Sequence, residues 1–260
     1  MTTSFTARAS AAALCATLTF VCQHAAAQSP TTQMPEGTTD VDLSLIAALV
    51  PVSEGQSGMR AIVLPSISAQ WSNGIFAEPG EVGMQLSEDP MLKFGPLLTY
   101  GARNRRADER DHKASLGIEA GAFASYRLAH NIGFSAQLLY GGSDDHRGVR
   151  VNLGANTGLR IGSHQNLSAS VGMSVVDRSY MQSYFGVTPA QAARGRRPVY
   201  QAEAGIKNFY LTLGWQVELS TKYSLNTGVN LSRLVGSAAD SPLVKSPNNG
   251  ALFSVLTYHW

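Results

Sequence analysis

The side chains best suited to metal or acid–base chemistry are few in this chain. The histidines are His24, His112, His130, His146, His164 and His259, and the cysteines are Cys15 and Cys22. Asp144-Asp145-His146 brings three ligand types together, but adjacent residues on one turn converge poorly on a single ion, so the run reads as a solvated turn. No H-E-x-x-H, G-x-S-x-G or phosphate-binding loop is present. Gly-x-Gly patterns recur along alternating segments and read as packing features. Both cysteines fall in an N-terminal apolar stretch, which leaves the remainder without a thiolate nucleophile, thiolate metal site or disulfide. The expectation is a protein that is not an enzyme, with no catalytic residues, cofactor or metal.

Charge offers binding rather than catalysis. Arg103, Arg105, Arg106 and Arg110 alternate with Asp108, Glu109 and Asp111. Such a stretch is either a solvated loop or a contact for lipopolysaccharide phosphates. Glu119, Arg127, Arg150, Arg160 and Glu218 occupy polar phases of alternating segments. If those phases face a lumen, the charges either brace it by pairing or tune a pore. With 20 basic and 18 acidic residues the net charge is only +2, so a nucleic-acid partner is not expected.

The elements that must position these groups follow from composition. Of 260 residues, 44% are hydrophobic but only 15% charged, and 25 are glycine, against about 25% charged in an ordinary soluble domain. The longest apolar run, 11–22, is too short for a spanning helix of about 20 residues. Residues 1–27 read as a secretory signal peptide: Arg8, then the apolar stretch Ala11 to Cys22, then Ala25-Ala26-Ala27 at the cleavage site. Residues 28–39 (QSPTTQMPEGTT) read as a flexible periplasmic leader. Residues 40–260 form the structural unit.

There the hydrophobic period is two. Leu116, Ile118, Ala120, Ala122, Ala124, Tyr126 and Leu128 alternate with mainly small or polar residues, Phe123 being the exception. Comparable stretches lie around 149–161, 167–175 and 223–231. A soluble sandwich also alternates, but its wet face would carry Lys and Glu. Here that face is Gly, Ser, Asn, Gln and Thr, and the runs match tilted membrane strands. The expected strands are 41–50, 60–71, 74–79, 82–88, 92–103, 114–128, 132–142, 147–161, 166–177, 200–219, 222–234 and 250–260. The fold class is thus all-β: a closed antiparallel transmembrane barrel of about 12 strands, apolar toward lipid, with small polar residues in the lumen. Short periplasmic turns alternate with longer extracellular loops at about 51–59, 104–113, 178–199 and 235–249. Aromatics including Trp71, Tyr100, Trp215 and Tyr223 mark interfacial girdles. The slip of apolar phase between Ile206 and Phe209 predicts a bulge near Lys207-Asn208. Leu256, Tyr258 and Trp260 end the last strand in the alternating aromatic pattern of a signal read by the barrel-assembly machinery.

Three late segments carry more than periodicity. Tyr180 to Arg194 (YMQSYFGVTPAQAAR) precedes Tyr200 to Asn208 (YQAEAGIKN), and Arg233 to Val244 (RLVGSAADSPLV) follows. Together with Gly95-Pro96 and Tyr100 to Arg103, they resemble the MipA/OmpV family of outer-membrane proteins, the MltA-interacting protein family. Two departures are Arg194-Gly195-Arg196-Arg197, where the family usually has Ser-Gly, and Trp260 in place of a terminal Phe. The resemblance implies the outer membrane of a Gram-negative bacterium. It also implies a scaffold joining a lytic transglycosylase to a murein synthase, surrounded by outer-membrane lipid and lipopolysaccharide. A small-solute channel and a surface adhesin or receptor are the alternatives. Thr188, Pro189 and Gln191 make a capping box, predicting a short loop helix at 189–194. Tyr180, Tyr184, Phe185, Thr188, Asp240 and Ser241 are the candidate loop contacts, either for a partner or for a plug folded onto the barrel mouth.

Overall fold

The computed structural model describes residues 35–102, 116–143, 146–195 and 197–260. The segment expected to be a signal peptide (1–27), residues 28–34 of the expected leader, the charged stretch 103–113, Asp144-Asp145 and Arg196 lie outside the described residues.

Twelve antiparallel strands close into one barrel in chain order: β1 (Thr39–Pro51), β2 (Met59–Trp71), β3 (Ile75–Glu78), β4 (Glu81–Met84), β5 (Leu92–Ala102), β6 (Leu116–Ala129), β7 (Ile132–Ser143), β8 (His146–Ile161), β9 (Gln165–Val176), β10 (Gly205–Glu218), β11 (Tyr223–Leu234) and β12 (Asn248–His259). The seam is β1 on β12, from Asp42↔His259 to Leu49↔Leu252. Closure is what period-two segments require in lipid, where every backbone N–H and C=O must find a partner within the sheet.

The alternation sorts side chains to two environments. Leu138, Val171, Leu213 and Leu252 are exposed on the outer face, where hydrocarbon would surround them. The inner face of β7–β9 is small and polar. Asn152 donates to Gln137 at 3.3 Å and accepts from Ser174 at 2.8 Å, linking three strands across the lumen wall. The expectation of a small polar lumen fails on the seam side. There Ile46, Ala48, Val50, Phe253 and Val255 are buried on the inner face with Ile62 and Leu64 packed against them. A narrow barrel can pack its interior, and apolar side chains that fill it need no water.

Strand boundaries differ from expectation mainly at β10, which begins at Gly205 rather than residue 200. Residues before it return to the loop, where Val187 and Tyr200 form an isolated bridge. The ladder of β10 on β9 shifts register between Ile206 and Asn208, and this bulge buries both Lys207 and Asn208. Gly172 on β9 is required by close approach, since an added Cβ would strike the Tyr210 ring and the Leu153 carbonyl oxygen.

The β3–β4 hairpin is short. It meets β2 only at Ala69↔Ala77 and Gln70↔Phe76. Above it, β2 residues 59–68 pair with β1 alone among the described strands. Pro65 fits that edge: it sits opposite Leu45 with no register shift, so its hydrogen-free nitrogen faces away from β1.

Val171 lies mid-strand and outward on β9. Val171→Arg is expected to destabilise the barrel by about 2–4 kcal/mol. The check is the urea-unfolding midpoint in phospholipid vesicles.

Candidate functional site: the capped mouth and the lumen

The 177–204 connection folds into two helices. Asp177 caps α1 (Arg178–Phe185), its side chain accepting from the Tyr180 N–H at 2.8 Å. Thr188 caps α2 (Pro189–Arg194), the stretch that its spacing to Gln191 predicts. The Gln191 N–H donates to Thr188 Oγ1 at 3.3 Å, and the Thr188 N–H donates to Gln191 Oε1 at 2.9 Å. Sequence reading missed α1, although its signals are present: a capping Asp, then Tyr180, Met181, Tyr184 and Phe185 at helical spacing on one face.

That face builds an apolar cluster at the long-loop mouth. Val176, Tyr180, Met181, Phe185, Ala202, Leu234 and Ala238 are buried together. The Tyr180 and Tyr184 ring centroids are 4.5 Å apart. Gly148, on the inner wall of β8, abuts the Tyr180 backbone, where a Cβ would not fit. α3 (Gly236–Ala239) packs beside α1 and on β10, with Tyr200 Oη donating to the Ser237 carbonyl at 2.8 Å. Buried Ser241 ties the two loops: its hydroxyl donates to the Phe185 carbonyl at 2.6 Å and accepts from the Leu243 N–H at 3.2 Å. The 52–58 loop completes the cap, with the Lys245 N–H donating to the Gly55 carbonyl at 2.8 Å.

Charge is buried beneath this cap. Lys207, turned inward by the bulge, pairs with Glu54 at 3.1 Å. Its ammonium also lies 5.8 Å from the Tyr180 ring centre. Burial pushes the Tyr180 phenol above its ordinary pKa, with Arg150 opposing the shift. The phenol therefore stays neutral as a packing group. Arg150 forms an ion pair with Glu119 across the lumen wall. The pairing of Glu54 with Lys207 escaped sequence reading, which predicted only the bulge, because the two residues are 153 positions apart.

The sequence candidates thus separate into places. Tyr180, Phe185 and Ser241 are buried in the cap and Tyr184 is half-buried there, whereas Thr188 and Asp240 are exposed. Glu119 and Arg150 meet below the cap. Arg127 lies farther down the lumen wall. Arg160 and Glu218 are exposed at the short-turn rim, Arg160 donating to the Ser163 carbonyl at 2.8 Å. Leu256 faces outward, Tyr258 packs against Tyr223 with ring centroids 5.1 Å apart and planes tilted by 53°, and Trp260 is 85% exposed. His259 donates or accepts at Ser224 and pairs with Asp42 at 2.7 Å. Among the described residues no group of His, Cys, Asp and Glu could hold a metal ion.

Residues 43–260 match the family model of MltA-interacting protein MipA, from the first strand to the last residue. The chain belongs to the MltA-interacting protein MipA family. No curated protein matches it in sequence. Among solved structures, the NanC porin is similar at 9% identity over 83% of this chain and 98% of its own, with a TM-score of 0.50. A bacterial polysaccharide outer membrane secretin is 11% identical, covering 85% and 98%, with a TM-score of 0.49. The translocator domain of autotransporter NalP from Neisseria meningitidis is 12% identical, covering 97% and 100%, with a TM-score of 0.44. At 9% identity the likeness to the NanC porin is one of fold. Family and fold together make this MipA-family chain an outer-membrane β-barrel.

Ser241→Ala leaves the buried Phe185 carbonyl without its donor. It is expected to weaken the cap locally by about 1–3 kcal/mol. The readout is faster trypsin cleavage after Arg194, with the barrel itself still folded.

Proposed function

We propose that this chain is a non-enzymatic outer-membrane scaffold that docks an MltA-type lytic transglycosylase at its short-turn end. In bacterial barrels that end is periplasmic, so the docking face lies on the side of the cell wall. The observation that carries the reading is the match of residues 43–260 to the MltA-interacting protein MipA model. The architecture supports it in a negative way. The long-loop mouth is filled by a buried apolar cap, with Met181 at 0% and Tyr180 at 5% exposure, which disfavours a wide solute pore. A murein synthase as a second client belongs to the same proposal, coupling cutting to synthesis.

Docking material at the short-turn end is limited but identifiable. Pro35–Thr38 is bonded to the first turn through Ser72. The 85–91 connection presents Leu86 and Met91, both exposed. Exposed apolar residues at a rim are the usual anchors of an interface.

Two experiments test the reading. The purified, folded barrel is expected to capture purified MltA-type transglycosylase, and Leu86→Asp with Met91→Asp is expected to weaken capture at least tenfold, about 1.4 kcal/mol. Truncation of residues 28–38 tests whether the leader contributes. Absence of capture by the intact chain overturns the proposal. In planar bilayers the intact barrel is expected to conduct poorly, and deletion of residues 178–199 to raise conductance. High conductance of the intact protein would favour the channel reading instead.

A further inference from the structure

A cavity of about 200 Å³ lies inside the barrel against β2 to β8, on the wall opposite the apolar seam. It reaches toward the short-turn end, where Pro90 and Met91 border it. Charges stand at its two ends. Glu78 and Glu81 are opposite one another across the Pro79-Gly80 turn of the β3–β4 hairpin, and Glu81 pairs in turn with Thr99. Lys93 precedes Thr99 by six residues on β5, roughly 20 Å along the strand. Arg127 is the diagonal neighbour of Lys93, which pairs with Ser125. Glu81, Lys93 and Arg127 all have partners within the protein.

Much of the remaining polar lining is neutral. Gln70 on β2, Ser125 on β6, Ser135 on β7 and Asn156 on β8 all border the cavity. Among the described residues their side chains make no hydrogen bond within the protein, yet none of their polar atoms is sealed off. Ser125 and Ser135 stand directly opposite one another, and so do Phe123 and Gln137 one step along the same face. Gln137 accepts from Asn152 through Oε1, which leaves its Nε2 donors. Phe123 meets Phe76 edge to face, with centroids 5.6 Å apart.

We propose that this cavity binds one neutral pyranose ring, a hexose or an N-acetylhexosamine. Three features point to this class. Carboxamides and hydroxyls both donate and accept, as each sugar hydroxyl also does, whereas an ammonium only donates and a carboxylate only accepts. An edge-to-face aromatic pair leaves ring faces for a ligand's C–H groups, which prefer the negative face of an aromatic ring. The cavity is below the roughly 300–1,000 Å³ typical of drug-sized ligands, and so suits a single ring. The bases beside the serines already have partners, so an ionised ligand would be desolvated there without a free counter-charge. Ser125, Ser135, Gln137 and Asn156 sit on adjoining strands, which hold a recognition geometry better than loops do. This inference stands apart from transglycosylase docking, and either can fail alone.

The test uses the full barrel folded in an amine-oxide detergent, which carries no sugar headgroup, and isothermal titration. The probes are glucose and N-acetylglucosamine, their ionised relatives glucuronate and glucosamine, and cyclohexanol as a ring with a single hydroxyl. Saturable binding of glucose or N-acetylglucosamine is expected, glucose alone marking plain hexoses and N-acetylglucosamine alone marking N-acetylhexosamines as the class. Glucuronate, glucosamine and cyclohexanol should each bind about tenfold more weakly or worse. Asn156→Leu should weaken the neutral sugars about tenfold, as loss of a hydrogen bond in a partly desolvated site requires, while leaving cyclohexanol unchanged. Heat-modifiable gel migration reports folding of the variant. No saturable binding of either neutral sugar overturns the proposal, as does equal or tighter binding of an ionised sugar or of cyclohexanol. The probe series on the unaltered protein decides it even if the variant does not fold.

Discussion

The structure depends on satisfying backbone hydrogen bonds in a medium that supplies none. Closure of β1 on β12 meets this requirement, joining residues more than two hundred positions apart in sequence. On the inner side of that seam Ser44 and Thr257 share a 2.9 Å hydrogen bond and Asp42 meets His259, while Leu45 and Leu256 face outward. At this end of the seam side-chain chemistry thus changes sign across a single sheet thickness, whereas farther along it both faces are apolar. The short β3–β4 hairpin is where closure is thinnest, and Pro65 lies on the β2 edge that it leaves unpaired.

Closure then leaves an interior to be filled, and the protein uses three different solutions. The seam side is packed with aliphatic and aromatic side chains. The β7–β9 side is linked by Gln137, Asn152 and Ser174. The mouth is stoppered by α1 and the loops around it. Two ion pairs lie where these regions meet, each joining different elements: Lys207 with Glu54, Arg150 with Glu119. Breaking one member would strand the other, so such pairs hold the cap and wall in register more than they add net stability. The short-turn end carries no comparable stopper among the described residues, and both the proposed docking surface and the charged cavity lie toward that end.

Sequence alone determined the class of architecture and most strand positions, because alternation with period two is a local property and the choice of Gly, Ser and Asn over Lys and Glu on the polar phase reports the solvent. It also located α2, since a capping box is complete within four residues, and the bulge at Lys207, since a phase slip is visible along one strand. Tertiary structure decided the rest. The seam residues Ile46 and Phe253 come together on the inner face only when two distant strands meet. α1 is a helix because its Tyr180, Met181 and Phe185 face has a mouth to fill. Glu78, Glu81, Lys93 and Arg127 share one cavity only after a hairpin turn and strand register bring them together. These depend on long-range pairing, which no window of sequence contains.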